Sequence, residues 1–269
     1  MPDSYLAVCA IYRDEAPFLR EWIEFHRLVG VDRFFLYDNG SVDDGRSVLA
    51  PYEDEGLVVR QEWLRFPGWR SAYSDCLSEY GAGARWLAFI DIDEFLFTPT
   101  GSSLPKVLAE YEAWPGIGVN RATYGTSGHK TRPPGLVIEN YVRRMSEAHP
   151  ASVKTIVDPA RTGRMVNPHR FEHTDGIAVD EQGNEVDGMF TKSFTFDRLR
   201  INHYWTKSEE ECEQKFARIR PGRPPRPWPG RPDAEVHARA NEVFDDVLAG
   251  YAKPVKAALE RSGAEAAGR

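Results

Sequence analysis

Apolar positions in the first part of the chain come in two alternating rhythms. Tyr5 to Ile11, Arg33 to Tyr37, Leu57 to Gln61 and Trp86 to Ile90 are short, nearly solid runs. They have the length and continuity of strands buried on both faces. Between the first two, Phe18, Leu19, Trp22, Ile23, Phe25, His26 and Val29 recur at helical spacing, with Pro17 as a start signal and Gly30 as a stop. Asn39-Gly40 marks a turn, and Ser41 with Asp44 three residues on caps a second helix to about Tyr52. Trp69 to Tyr80 reads as a third helix. Strand and helix alternate with short connections, which predicts βαβ units around a parallel sheet.

The second half is less regular. Leu104 to Tyr111 and the stretch from Ser208 to Arg220 read as helices, and Gly118 to Tyr124, Val153 to Val157 and Arg198 to His203 as strands. Asp175 to Asp187 is polar and predicts a surface hairpin or loop. Pro221 to Pro232 is dense in Pro, Gly and Arg, the composition of an extended linker. Asp233 to Gly250 predicts a last amphipathic helix, and a frayed tail follows Ser262. Residues after Gly250 are expected to be dispensable.

The fourth apolar run ends abruptly in Asp91-Ile92-Asp93-Glu94, and apolar residues resume at Phe95. Carboxylates resist burial unless paired, so these should stand where a central strand opens into a cleft. In open α/β sheets ligands bind at that end. The first and second strands end in Arg13-Asp14-Glu15 and Asp38-Asn39. Three polar clusters on one sheet edge point to a site more strongly than any one of them. Asp91 and Asp93, two apart on an extended backbone, would point the same way. Paired hard oxygen donors suit Mg²⁺ or Mn²⁺ held between protein and phosphate. A strand-to-loop turn capping a helix is the plainer alternative.

Net charge is −7 with a pI near 5.6. No basic face is suggested, so no nucleic-acid partner is expected. Cys9, Cys76 and Cys212 lie far apart and match no metal or disulfide spacing, which suits a reducing compartment. No signal peptide and no apolar run of about 20 residues is visible, so a cytoplasmic protein is expected, with peripheral contact to the inner membrane face as an option.

Six stretches in order resemble glycosyltransferase family 92 and the related family 2. They are Ala10-Ile11-Tyr12-Arg13-Asp14-Glu15, Glu21-Trp22-Ile23-Glu24-Phe25-His26, Tyr37-Asp38-Asn39-Gly40-Ser41, Phe89-Ile90-Asp91-Ile92-Asp93-Glu94-Phe95, Tyr124-Gly125-Thr126-Ser127-Gly128-His129 and Asn202-His203-Tyr204-Trp205-Thr206-Lys207-Ser208. The resemblance covers most of residues 5–220. It implies an α/β fold of the GT-A type, a mostly parallel central sheet flanked by helices that binds nucleotide sugars. The implied partition is a transferase domain over 1–220, a linker over 221–232 and a helical extension over 233–269.

The resemblance implies transfer of a sugar from a nucleoside-diphosphate sugar to a glycan or other hydroxyl acceptor, with inversion. A divalent metal, Mn²⁺ or Mg²⁺, would be held by Asp91, Asp93 and His203. It would grip the diphosphate where charge builds on the leaving group. A buried histidine bonded to backbone is the other reading of His203. Arg13, Glu15, Asp38, Asn39 and Asp91 would line the nucleotide pocket, and Lys207, Lys215 and Arg218 would hold the diphosphate or form a solvated face. The candidate bases for the acceptor hydroxyl are His129, Asp187 and Glu94, with Glu94 better suited to supporting the metal. Asp93 is expected to be a surface carboxylate of little structural weight. A nucleotidyltransferase is a second reading, weakened because Tyr12-Arg13-Asp14-Glu15 stands where a Gly- and Lys-rich phosphate loop belongs. A non-catalytic carbohydrate-binding homologue is the third.

Overall fold

The computed structural model describes residues 3–147, 150–217 and 232–267, with side chains described to 262. The chain opens with β1 (Ser4–Tyr12), α1 (Ala16–Val29), β2 (Arg33–Asp38), α2 (Gly45–Asp54), β3 (Val58–Glu62), α3 (Gly68–Tyr80) and β4 (Ala84–Phe89). This is the expected alternation. Next come β5 (Glu94–Phe97), α4 (Leu104–Leu108), β6 (Gly116–Val119), β7 (Arg121–Tyr124), α5 (Val137–Asn140), β8 (Arg143–Arg144) and β9 (Lys154–Val157). Then follow β10 (Thr162–Asn167), β11 (Arg170–His173), β12 (Arg200–Tyr204), α6 (Glu209–Ala217), α7 (Ala234–Arg239), β13 (Val243–Phe244) and α8 (Ala252–Ala267).

The fold is α/β, as expected. The main sheet has the order β3-β2-β1-β4-β9-β6. Its first four strands are parallel, and β9 and β6 join antiparallel. Alternate side chains of β1 enter two separate cores. Leu6, Val8 and Ala10 pack with Leu19 and Trp22 of α1 and Leu49 of α2. Ala7 and Cys9 pack with Tyr73 and Cys76 of α3 and Phe171 of β11. Each fully buried large aliphatic side chain contributes roughly 1.5–3 kcal/mol of transfer free energy. Both faces of the sheet are therefore covered, and chemistry is confined to its edges. A second sheet, β13-β8-β7-β12-β5, adjoins it. Gly30 ends α1 at φ 106, where a Cβ would also stand 2.5 Å from Pro105.

Several expectations are corrected. Gly118 to Tyr124 is two strands in different sheets, β6 and β7, because the chain changes sheet at the buried Asn120. The polar stretch from Asp175 is not all at the surface. Asp180 is buried, and the buried Glu181 carboxylate accepts backbone N–H groups of Asp197, Arg198 and Leu199 at 2.8–2.9 Å. Asp233 to Gly250 is not one helix. α7 ends at Arg239, and β13 then pairs with β8. No frayed tail begins at Ser262, since α8 runs on to Ala267. Nor are the residues after Gly250 loosely attached. Val255 is fully buried, and the Arg20 guanidinium donates to the Leu259 carbonyl at 2.7 Å. The expected linker falls outside the described residues, apart from Pro232.

Candidate active site

Three of the expected strand-end clusters meet at one cavity of about 460 Å³. Arg13 and Glu15 after β1, Asn39 after β2, and Asp91 and Asp93 after β4 line it. His203 and Trp205 at the end of β12 and Lys215 and Phe216 of α6 close the opposite side. Phe66, Pro67 and Trp69, around the start of α3, form an apolar wall. Gly68 lets that wall approach, because a Cβ there would stand 2.7 Å from Ile11 and 2.9 Å from the Asn39 amide.

The carboxylates are not laid out on extended backbone. Asp91 to Glu94 form a turn between β4 and β5, closed by the Glu94 N–H donating to the Asp91 carbonyl at 3.0 Å. Asp93 is not at the surface either. It is buried, its Oδ2 accepts from Lys215 Nζ at 2.5 Å, and His203 Nε2 stands 3.6 Å away. Burial pushes its carboxyl up, but the Lys215 ammonium more than offsets this and holds it well below the usual carboxylate range. Asp91 Oδ2 accepts from Lys154 Nζ at 2.7 Å, and Oδ1 from the Tyr73 hydroxyl at 3.3 Å. Burial again works against ionisation, and the Lys154 ammonium overrides it. Lys154 and Lys215 are both pushed down by burial and raised further by their aspartates, ending above the ordinary lysine range.

Beneath the cavity lies a buried chain of alternating charges. Lys154 also reaches Glu94 Oε2 at 3.3 Å, and Arg121 Nη1 meets Glu94 Oε1 at 2.7 Å. Arg121 is anchored by the Ser152 carbonyl at 2.6 Å and its hydroxyl at 2.7 Å. The sequence does not single out Arg121 or Lys154. The available signal was a lone cation inside each apolar strand run, where burial demands a partner.

The other expected residues divide. Asp38 is buried and does not line the cavity. Its carboxylate accepts the Ser41 N–H at 2.8 Å, as a turn residue does. Asn39 lines the cavity, but its amide donates to the Trp63 and Arg65 carbonyls at 2.5 and 3.0 Å and fastens the loop before α3. Lys207 is buried off the cavity, with its ammonium 4.1 Å from the centre of the Phe18 ring. His129 is not on the lining, and its Nε2 donates to the Asn140 carbonyl at 3.2 Å. Asp187 borders a different cavity and pairs with Arg170 at 2.7 Å. Glu94 is fully buried between two cations. None of the three candidate bases reaches the cavity. Arg218 falls outside the described residues.

Two carboxylates and an imidazole are suitable donors for a divalent cation, but as arranged they do not fit one. Among the described residues no three His, Cys, Asp or Glu side chains are grouped to hold a metal. One oxygen of each aspartate, Asp91 Oδ2 and Asp93 Oδ2, already accepts from a lysine ammonium group.

Among the described residues no helix is long and apolar enough to cross a membrane. A glycosyltransferase family 92 protein of Oryza sativa subsp. japonica is 33% identical over 218 residues, 79% of this chain and 35% of its own length. Galactan beta-1,4-galactosyltransferase GALS2 of Arabidopsis thaliana is 34% identical over 106 residues, 36% of this chain and 20% of its own. The chain thus spans about a third of the length of the rice relative. Among solved structures, residues 1–349 of S. aureus TarS superpose with a TM-score of 0.41 at 13% identity, over 58% of this chain and 47% of that one. A likeness that low has no bearing on function. The family model of glycosyltransferase family 92 matches residues 3–221, and the chain belongs to that family.

Proposed function

We propose that this chain transfers a sugar from a nucleoside-diphosphate sugar to the hydroxyl of a glycan acceptor. The observation that carries the reading is the shared cavity. In a chain of this family, it gathers the ends of β1, β2, β4 and β12 and a lysine of α6 around one space. Transfer breaks the bond between sugar C1 and the diphosphate oxygen, and the electron pair leaves with the diphosphate. The acceptor oxygen forms the new bond to C1, and its proton passes to water. Lys215 and Arg13, on the cavity lining, supply positive charge where the leaving group gains negative charge. The apolar wall of Phe66 and Trp69 offers a surface for a nucleobase. A divalent cation would reach Asp93 Oδ2 only after Lys215 had left it.

The name of the Arabidopsis relative specifies a beta-linked galactose product. A β product from an α-linked sugar nucleotide is an inverting outcome, which we extend to this chain with galactose as the first sugar to try. The test is to incubate the purified chain with UDP-galactose, UDP-glucose and β-1,4-galactan oligosaccharides, with and without Mn²⁺. Acceptor elongation by a β-linked hexose supports the reading. No nucleotide release from any sugar nucleotide, together with no UDP binding by calorimetry, would refute it.

A further inference from the structure

The hydrogen-bond chain under the cavity fixes which nitrogen of His203 carries a proton. Arg121 Nη1 lies 3.4 Å from His203 Nδ1, within donating geometry. A guanidinium has only N–H groups to offer and keeps its charge, so Nδ1 must accept. Arg121 has no freedom to do otherwise. Nη1 gives its other N–H to Glu94, while Nε and one N–H of Nη2 go to Ser152. The ring's proton is therefore on Nε2, the nitrogen 3.6 Å from Asp93 Oδ2. His203 lines the cavity, and an Nε2 that carries a proton has no lone pair for a cation.

We infer that Arg121 is a positioning residue that locks His203 as an Nε2–H donor, so that His203 serves the diphosphate as a hydrogen-bond donor and is not a metal ligand. The expected ligand role is thereby reversed. The phosphate half rests on the transferase reading; the proton's location does not.

The test is nitrogen-15 NMR of histidine-labelled full chain, with His203→Gln assigning the signal. The wild type should show His203 protonated on Nε2 alone, before and after Mg²⁺ and UDP are added. In Arg121→Met the ring should relax into a mixture of both tautomers. A proton on Nδ1 in the wild type, or a switch to it when Mg²⁺ and UDP are added, overturns the inference. So does an unchanged spectrum in Arg121→Met. Should Arg121→Met fail to fold, His203→Gln and His203→Ala still decide the matter by calorimetry. Gln keeps an N–H at the same reach and should hold UDP affinity within about threefold, whereas Ala should lose about tenfold. Equal losses in the two variants overturn the donor role. Absence of UDP binding in the wild type, with Nε2 still protonated, sinks the transferase reading and leaves the tautomer standing.

Discussion

Lys154→Met removes one charge from the buried chain while keeping the side chain's length. Lys154 is 2% exposed and serves both Asp91 Oδ2 and Glu94 Oε2, at 2.7 and 3.3 Å. Deleting one member of a buried ion pair costs about 3–5 kcal/mol, because the remaining charge is stranded. The lower end applies here. Glu94 keeps Arg121 at 2.7 Å, and the Asp91 side chain, 42% exposed, recovers water and adds little. A loss of about 3 kcal/mol in a chain of this size lowers the melting temperature by about 6 °C. The pH dependence follows from the two shifts. The Asp91 value is depressed, so its share is complete above the unfolded value of about 4 and is lost as pH falls through the folded value. The Lys154 value is raised, so its share is complete below about 10.4 and is lost as pH rises through the folded value. Calorimetric melting of parent and variant should differ by a constant amount from about pH 5 to 9, and the gap should narrow by Asp91's small share as pH falls below about 4. A variant that melts within about 1 °C of the parent at pH 7, or a gap that widens in acid, would show that the ion chain does not carry this load.

Lys215→Met should weaken UDP binding about tenfold, roughly 1.4 kcal/mol, by calorimetry; an unchanged affinity removes Lys215 from the diphosphate site. Truncation after Gly250 removes buried Val255 and Ala258 and the Arg20 contact to Leu259, so the product should be insoluble or melt far lower. A soluble truncated chain with the parent's melting temperature would contradict this. Burial raises the Glu21 carboxyl to about 7, against opposing N–H bonds from Val137 and Ile138. An acid with a raised value gives its full stability below its unfolded value and loses it as pH rises through the folded one. Denaturant titrations should therefore show stability falling by on the order of 3 kcal/mol as pH rises from about 4.5 to about 7. Glu21→Gln should abolish that slope, and a slope that survives assigns it to another group.

The parallel half was legible because its signals are local. The apolar runs of β1, β2, β3 and β4 and the helical period of α1 each state their own burial, and Gly30 states its own turn. The strand-end clusters were legible because topology alone puts strand ends on one edge. The second half was less so. Its strands are short, and β7 pairs with β12 and β8 rather than with the neighbouring β6. No local pattern announces a change of sheet at Asn120. Pairings were the least legible part of the site. Asp93, Lys215 and His203 each stand out as candidates in the sequence, but a sequence cannot show that Lys215 stands on Asp93 or that Arg121 stands under His203. Both contacts join residues more than 80 positions apart. His26 shows the same limit from the core side. Its Nδ1 meets the Trp22 carbonyl at 2.8 Å, its Nε2 accepts the Leu96 N–H at 3.1 Å, and burial drives its value down to about 3.

The two lysines on the aspartates differ in a way that bears on ligand entry. Lys154 is enclosed, held by two carboxylates and carried on β9, between β4 and β6 of the main sheet. Lys215 has a side chain 27% exposed, is carried on α6, and holds Asp93 and the Trp205 carbonyl. An incoming diphosphate adds negative charge to a cluster in which Asp91, Asp93 and Glu94 already face Lys154, Arg121 and Lys215. It can recruit the ammonium that costs least to move, and an unbranched side chain at the cavity's rim costs less than one locked beneath a sheet. On the transferase reading, Asp91 would keep its partner when a diphosphate binds, while Asp93 would exchange its own. The hypothesis separates the two variants. Lys215→Met should change UDP affinity directly, whereas Lys154→Met should act mainly on stability. Equal weakening of UDP by both substitutions, at temperatures where both variants are folded, would show that the two pairs are equivalent.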